Sequence, residues 1–187
     1  MAIALWWVGT APADAEVLEQ VRGCVEHEFE QAVLRWESED RPAGTLDAVR
    51  GQHSSREILR WLVTARPGHT DRVLGVTDVD LFIPVLTFVF GEAQLEGPAA
   101  IVSTRRLGQG VSRATAAARL AKEGVHELGH TFGLVHCDRP ICVMTRSASV
   151  RAVDAKRAQL CPECRARYRM IQEGLHVYRE HENPHRR

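Results

Sequence analysis

Three histidines and a glutamate stand close together in the run His126-Glu127-Leu128-Gly129-His130-Thr131-Phe132-Gly133-Leu134-Val135-His136, and these are the residues best equipped to do chemistry. On a helix, positions four apart lie about 40° apart around the axis and roughly 6 Å along it, so the imidazoles of His126 and His130 can reach one ion. Glu127 projects about 100° away from His126, beside the metal rather than on it. There a carboxylate can act as general base toward a zinc-bound water. Gly133 can adopt the positive φ that ends a helix and turns the chain back, which lets His136 swing in as third ligand. Three protein ligands leave a fourth position to water, the arrangement of a catalytic rather than a structural zinc. A bare HExxH also arises by accident on ordinary helix faces. The glycine and third histidine at fixed offsets weaken that reading.

A second constellation follows at once. Cys137 adjoins the third histidine, Cys142 lies five residues on, and Cys161-Pro162-Glu163-Cys164 closes the set. Two cysteine pairs at short spacing, separated by a loop, are the usual pattern of a four-thiolate zinc site. Two disulfides, a redox CxxC and buried free thiols compete with it. Disulfides need an oxidising compartment, and the redox reading needs a preceding βαβ pattern that this segment lacks. Met144, taken alone, reads as a gap-filling core residue.

From 126 to 164 the sequence closely resembles the archaemetzincin family of zinc metalloproteases, in the metzincin clan. It has the extended zinc motif, a cysteine, four residues, Cys-x-Met, a linker and CxxC. Segments 74–81, 88–93 and 101–107 are also similar to this family, whereas the first seventy residues are only weakly so. The resemblance implies that His126, His130 and His136 bind a catalytic zinc, that Glu127 is the base and that Met144 sits in a turn under the metal. It implies a second, structural zinc on Cys137, Cys142, Cys161 and Cys164, hence two Zn2+ per chain. It further implies an α/β metzincin-like domain, with a mixed twisted sheet packed on the active-site helix and a C-terminal helix. In that layout an upper sub-domain covers about 1–133 and a lower one about 134–187. Metzincins often add a downstream tyrosine that stabilises the oxyanion. Here Thr145 and Arg146 follow Met144, and Tyr168 and Tyr178 are the tyrosines, so no such donor is assigned.

The elements that must position these groups follow from the rest of the sequence. At 187 residues the chain makes one domain with a full core. Lys plus Arg and Asp plus Glu number 24 each, so nothing suggests a nucleic-acid partner. The apolar start, 1–9, has no basic residue ahead of it and no room for a signal-peptide core, and reads as a buried first strand. The run 81–90 is broken by Pro84 and falls far short of a membrane span. These features predict a soluble, cytoplasmic, monomeric protein that does not act at a membrane, and the zinc motif with the resemblance implies a peptide or protein substrate. Pro12 and Asp14 open a helix with Cys24 on its apolar face, as a buried structural thiol. Residues 32–36 form a strand, and Ser54-Ser55-Arg56-Glu57 is a capping box that opens a helix stopped by Pro67-Gly68.

Strands are predicted over 72–80, 88–95 and 99–107. A long helix capped by Ser112 carries the zinc motif, and a final helix runs from about 162 toward 181 before a frayed tail, 182–187. His27, His53, His69, His176, His181 and His185 lack metal-ligand spacing and read as surface histidines. Asp78 and Asp80 read as solvated or strand-end carboxylates, and Arg165, Arg167 and Arg169 as a solvated helix face.

The expected function is a zinc-dependent metallopeptidase in which Glu127 activates a zinc-bound water. The alternative is a zinc-stabilised peptide-binding protein with little or no turnover, against which an intact Glu127 argues. A third reading makes the four cysteines a docking module for another macromolecule.

Overall fold

The computed structural model describes residues 1–174. The first strand, β1 (Ala2–Trp7), leads through α1 (Ala15–Phe29) to β2 (Ala32–Trp36). The chain then makes β3 (Leu46–Asp47), β4 (Gln52–Ser54), α2 (Ser55–Ala65), β5 (Arg72–Thr77), β6 (Leu81–Phe82), β7 (Gly91–Ala93) and β8 (Ala99–Ser103). Four helices close the described chain: α3 (Thr104–Leu107), α4 (Arg113–Thr131), α5 (Val150–Ala155) and α6 (Pro162–Gln172).

Five strands form one sheet in the order β2-β1-β5-β8-β7, parallel except for β7, which runs antiparallel at the edge. A sheet buried on both faces needs strands that are apolar on both sides, and β1, β5 and β8 supply them apart from Arg72, Thr77 and Ser103 at strand ends. Alternation then divides the strands between two cores. Ile3, Leu5, Leu74, Val76, Ala100 and Val102 face α1 and α4. Ala4, Trp6, Val73, Ala99 and Ile101 face Ile58, Leu59 and Leu62 of α2. Asp14 caps α1, accepting from the N–H groups of Glu16 and Val17; Ser54 and Ser112 cap α2 and α4. The predicted α/β architecture, with a mixed sheet on the zinc-motif helix, is the one observed.

Several boundaries differ from the sequence reading. The strand expected over 72–80 stops at Thr77, because Asp78 turns aside to accept from the N–H groups of Thr10 and Ala11. That expected over 88–95 shrinks to β7, with Val89 making only an isolated bridge to Leu81. That expected over 99–107 becomes helical after Ser103, whose hydroxyl caps α3 at the N–H of Arg105. The small sheet β3-β4-β6 and the helix α5 were not foreseen. Their strands, two or three residues long, are too short to show a period. The predicted run of the last helix toward 181, the tail, Tyr178, His176, His181 and His185 lie outside the described residues.

Arg165 is not merely solvated. It donates to the buried carboxylate of Glu28 and to its carbonyl, tying α6 to the end of α1. His53 is half-buried against the hydroxyl of Thr45, whereas His27 and His69 are exposed. Cys24 is half-buried rather than fully buried. Asp80 is a strand-end carboxylate held by Arg106 through two hydrogen bonds of 2.6 and 2.7 Å and by Gln52. Among the described residues no helix is long and apolar enough to cross a membrane.

Candidate active site

The last two turns of α4 carry His126, Glu127 and His130, and the helix ends where Gly133 takes a φ of 90°. That left-handed residue reverses the chain. The N–H of Leu134 returns to the carbonyl of Gly129 at 3.0 Å, and His136 follows back over the helix end. The three imidazoles each offer a ring nitrogen, all within 4.8 Å of one another, and the Nε2 atoms of His126 and His130 are 3.2 Å apart. Two of the imidazoles have their other nitrogen fixed by a carbonyl: Nδ1 of His126 faces Val143 O at 2.8 Å, and Nδ1 of His130 faces Leu134 O at 2.7 Å. The carbonyl sets the tautomer, leaving the Nε2 lone pair for an ion. Burial holds all three imidazoles below their ordinary pKa, with that of His136 at about 4, so at neutral pH they are the uncharged donors a cation requires.

Glu127 lies beside this cluster and is almost fully buried. Burial, and then the neighbouring Glu123, push its pKa well above the usual carboxylate range. An ionised Glu127 therefore needs a cation nearby, and the three convergent lone pairs are placed to hold one. The backbone of β7 passes against it so closely that a Cβ at Gly91 would fall 2.7 Å from the Cγ of Glu127. On the other side of α4, the fully buried Met144 presses its Sδ to within 2.5 Å of where a Cβ on Gly129 would be.

Beneath His126, Lys156 and Glu123 form a buried ion pair at 2.8 Å. Lys156 also donates to the carbonyl of Thr145, and Ser147 donates to Glu123. Lys156 is 3.4 Å from Nδ1 of His126, but the carbonyl of Val143 is nearer and is the acceptor for that nitrogen. The sequence reading missed this pair. Glu123 stands one helical turn before His126 and Glu127, on a face where it could have been noticed, whereas Lys156 carries no local signal.

The four cysteines meet in a second cluster, their Sγ atoms within 4.8 Å of one another. No two are bonded, and the Sγ atoms of Cys137 and Cys161 are 3.8 Å apart. Burial and the neighbouring Cys142 push the Cys164 thiol far up, so a thiolate at Cys164 needs a cation beside it. Four such donors suit a tetrahedral zinc. Cys24 is outside the cluster. A cleft of about 650 Å³ opens over the histidines, lined on one side by Phe88, Phe90 and β7 and on the other by Arg146, Ser147 and Ala148.

Comparison with known proteins agrees with this chemistry. The model of peptidase family M54 matches residues 31–170. The archaemetzincin of Haloquadratum walsbyi is 36% identical over 165 residues, covering 84% of this chain and 93% of its own. The crystal structure of the archaemetzincin of Methanopyrus kandleri superposes with a TM-score of 0.84 at 34% identity, covering 92% of this chain and 96% of that one. A zinc-dependent peptidase from Methanocorpusculum labreanum superposes with a TM-score of 0.79 at 30% identity, over 89% of this chain and 99% of that one.

Proposed function

Because this chain belongs to peptidase family M54, the archaemetzincins, we propose that His126, His130 and His136 hold a catalytic zinc beside Glu127 as general base. The protein is a zinc metallopeptidase, and its substrates are peptides or proteins. The observation that carries the assignment of roles is the convergence of three neutral imidazoles next to a buried carboxylate that ligates nothing. Zinc bound there supplies a Lewis acid that polarises the substrate carbonyl and acidifies water. Glu127 accepts the proton of the attacking water and passes it to the leaving amine. Gly91 lets the β7 backbone lie against Glu127, and the free edge of β7 is suited to pair with an extended substrate strand.

On the same reading Cys137, Cys142, Cys161 and Cys164 hold a second, structural zinc, and the cleft divides the domain at about residue 133. A peptide binder without turnover would have no use for Glu127, whose burial costs stability. The test is Glu127→Ala. We expect zinc content and circular dichroism to stay as in the wild type while kcat falls by roughly 10² to 10⁴. Undiminished peptide hydrolysis by the variant would remove Glu127 from its role.

A further inference from the structure

Two of the three histidines in the cleft direct Nδ1 at a backbone carbonyl; the third does not. Nδ1 of His136 faces the guanidinium of Arg146, at 3.3 Å from Nη2. A neutral imidazole that ligates through Nε2 carries its proton on Nδ1, and an arginine only donates. In the ligated state, then, two donors point at one another with no acceptor between them. Among the described residues Arg146 is the one arginine or lysine lining the cleft; it is exposed and has no carboxylate partner there. Of the acidic residues lining the cleft, Glu92 accepts from the hydroxyl of Ser55 and lies 3.6 Å from Arg56, Glu123 pairs with Lys156, and Glu127 is the buried base proposed above and makes no ion pair with Arg146.

We infer that Arg146 and the Nδ1–H of His136 together form a subsite for a carboxylate of the peptide substrate, either an Asp or Glu side chain or the C-terminal carboxylate. Two oxygens satisfy both donors at once, and a guanidinium matches that planar group better than an ammonium does. The inference rests on His136 acting as a ligand in the peptidase proposed above.

The test uses the zinc-loaded protein and peptides in matched pairs. One arm exchanges Glu for Gln at each position flanking the cleaved bond; the other exchanges a free for an amidated C-terminus. Wild type should favour the carboxylate member by roughly tenfold in kcat/KM in one arm, and the arm that responds identifies which carboxylate is read. That ratio should collapse toward one in Arg146→Gln, survive in part in Arg146→Lys, and fall below one in Arg146→Glu. Cleavage with ratios near one in both arms overturns the subsite while leaving the peptidase reading intact. If no peptide is cleaved, that reading fails separately, and fluorescence anisotropy with the same pairs decides the subsite. Tighter binding of the carboxylate member, lost in Arg146→Gln, supports it; equal binding overturns it.

Discussion

Cys24 shows how far a single residue's neighbourhood decides its role. It sits on α1 with part of its side chain against the main core, and burial, with Glu28 nearby, raises its thiol pKa. A raised pKa makes a poor thiolate, and the residue lies apart from the four clustered cysteines. Cys24→Ser should therefore leave the metal content unchanged and cost about 1 kcal/mol of stability, from placing a hydroxyl on apolar surface. Zinc analysis of the purified variant with urea denaturation checks both halves. A drop in zinc content would make Cys24 a ligand. Glu28 is the converse case: fully buried, it accepts from the N–H of Leu160 and from Arg165, and so binds the start of α6 to the end of α1.

At the scale of elements, α4 works because both of its flanks are approached to contact distance. Gly91 admits β7 on the side of Glu127, and Gly129 admits Met144 on the side of the turn beneath the histidines. Gly129→Ala tests that second approach. Alanine gains about 1 kcal/mol in a helix interior, but overpacking against a fully buried side chain costs about 1 to 3 kcal/mol. We expect a net loss of stability of about 1 kcal/mol and a weaker histidine site, because the carbonyl of Val143 that orients His126 is carried next to Met144. Thermal melts and zinc competition measure the two effects. A variant more stable than wild type, with unchanged zinc affinity, would show that Met144 yields freely.

At the scale of the molecule, the two proposed metals should behave differently. The histidine site keeps a position open, where a chelator can begin ligand exchange, whereas four thiolates close the other. Mild chelation should remove the first zinc and leave a folded, inactive protein. Harsher chelation should then remove the second. The consequence of that second loss is local. Besides its cysteines, α6 is held by the bonds of Arg165 to Glu28 and of the Tyr168 hydroxyl to the Phe29 carbonyl. Residues 143–160 are likewise tied to α4 and α1, by Arg119 with Asp154, Lys156 with Glu123 and the N–H of Leu160 with Glu28, whereas 138–142 make no bond to those helices among the described residues. Hydrogen exchange should rise first in 138–142 and later in α6, with metal analysis run alongside. One zinc per chain, or loss of both together with the fold, would defeat the two-site reading.

The sequence by itself was enough for the zinc motif, the helix that carries it, its cap at Ser112, the reversal at Gly133 and the cysteine set, because all of these are written in local spacing. The apolar start likewise marked β1, the helical spacing of apolar residues α1, and the capping box at Ser54 the start of α2. What only the tertiary structure decided are contacts between residues far apart in the chain. Lys156 reaches Glu123, Arg165 reaches Glu28, and Asp78 leaves its strand for the N–H groups of Thr10 and Ala11. Gly91 lies on a strand only three residues long, and its closeness to Glu127 follows from how β7 pairs with β8 over α4. Arg146 is an ordinary surface arginine until the fold brings it to His136, which alone of the three clustered imidazoles has no carbonyl at Nδ1. Local spacing records the periods of helices and strands; which buried charge meets which, and which backbone must pass without a Cβ, depends on packing between elements.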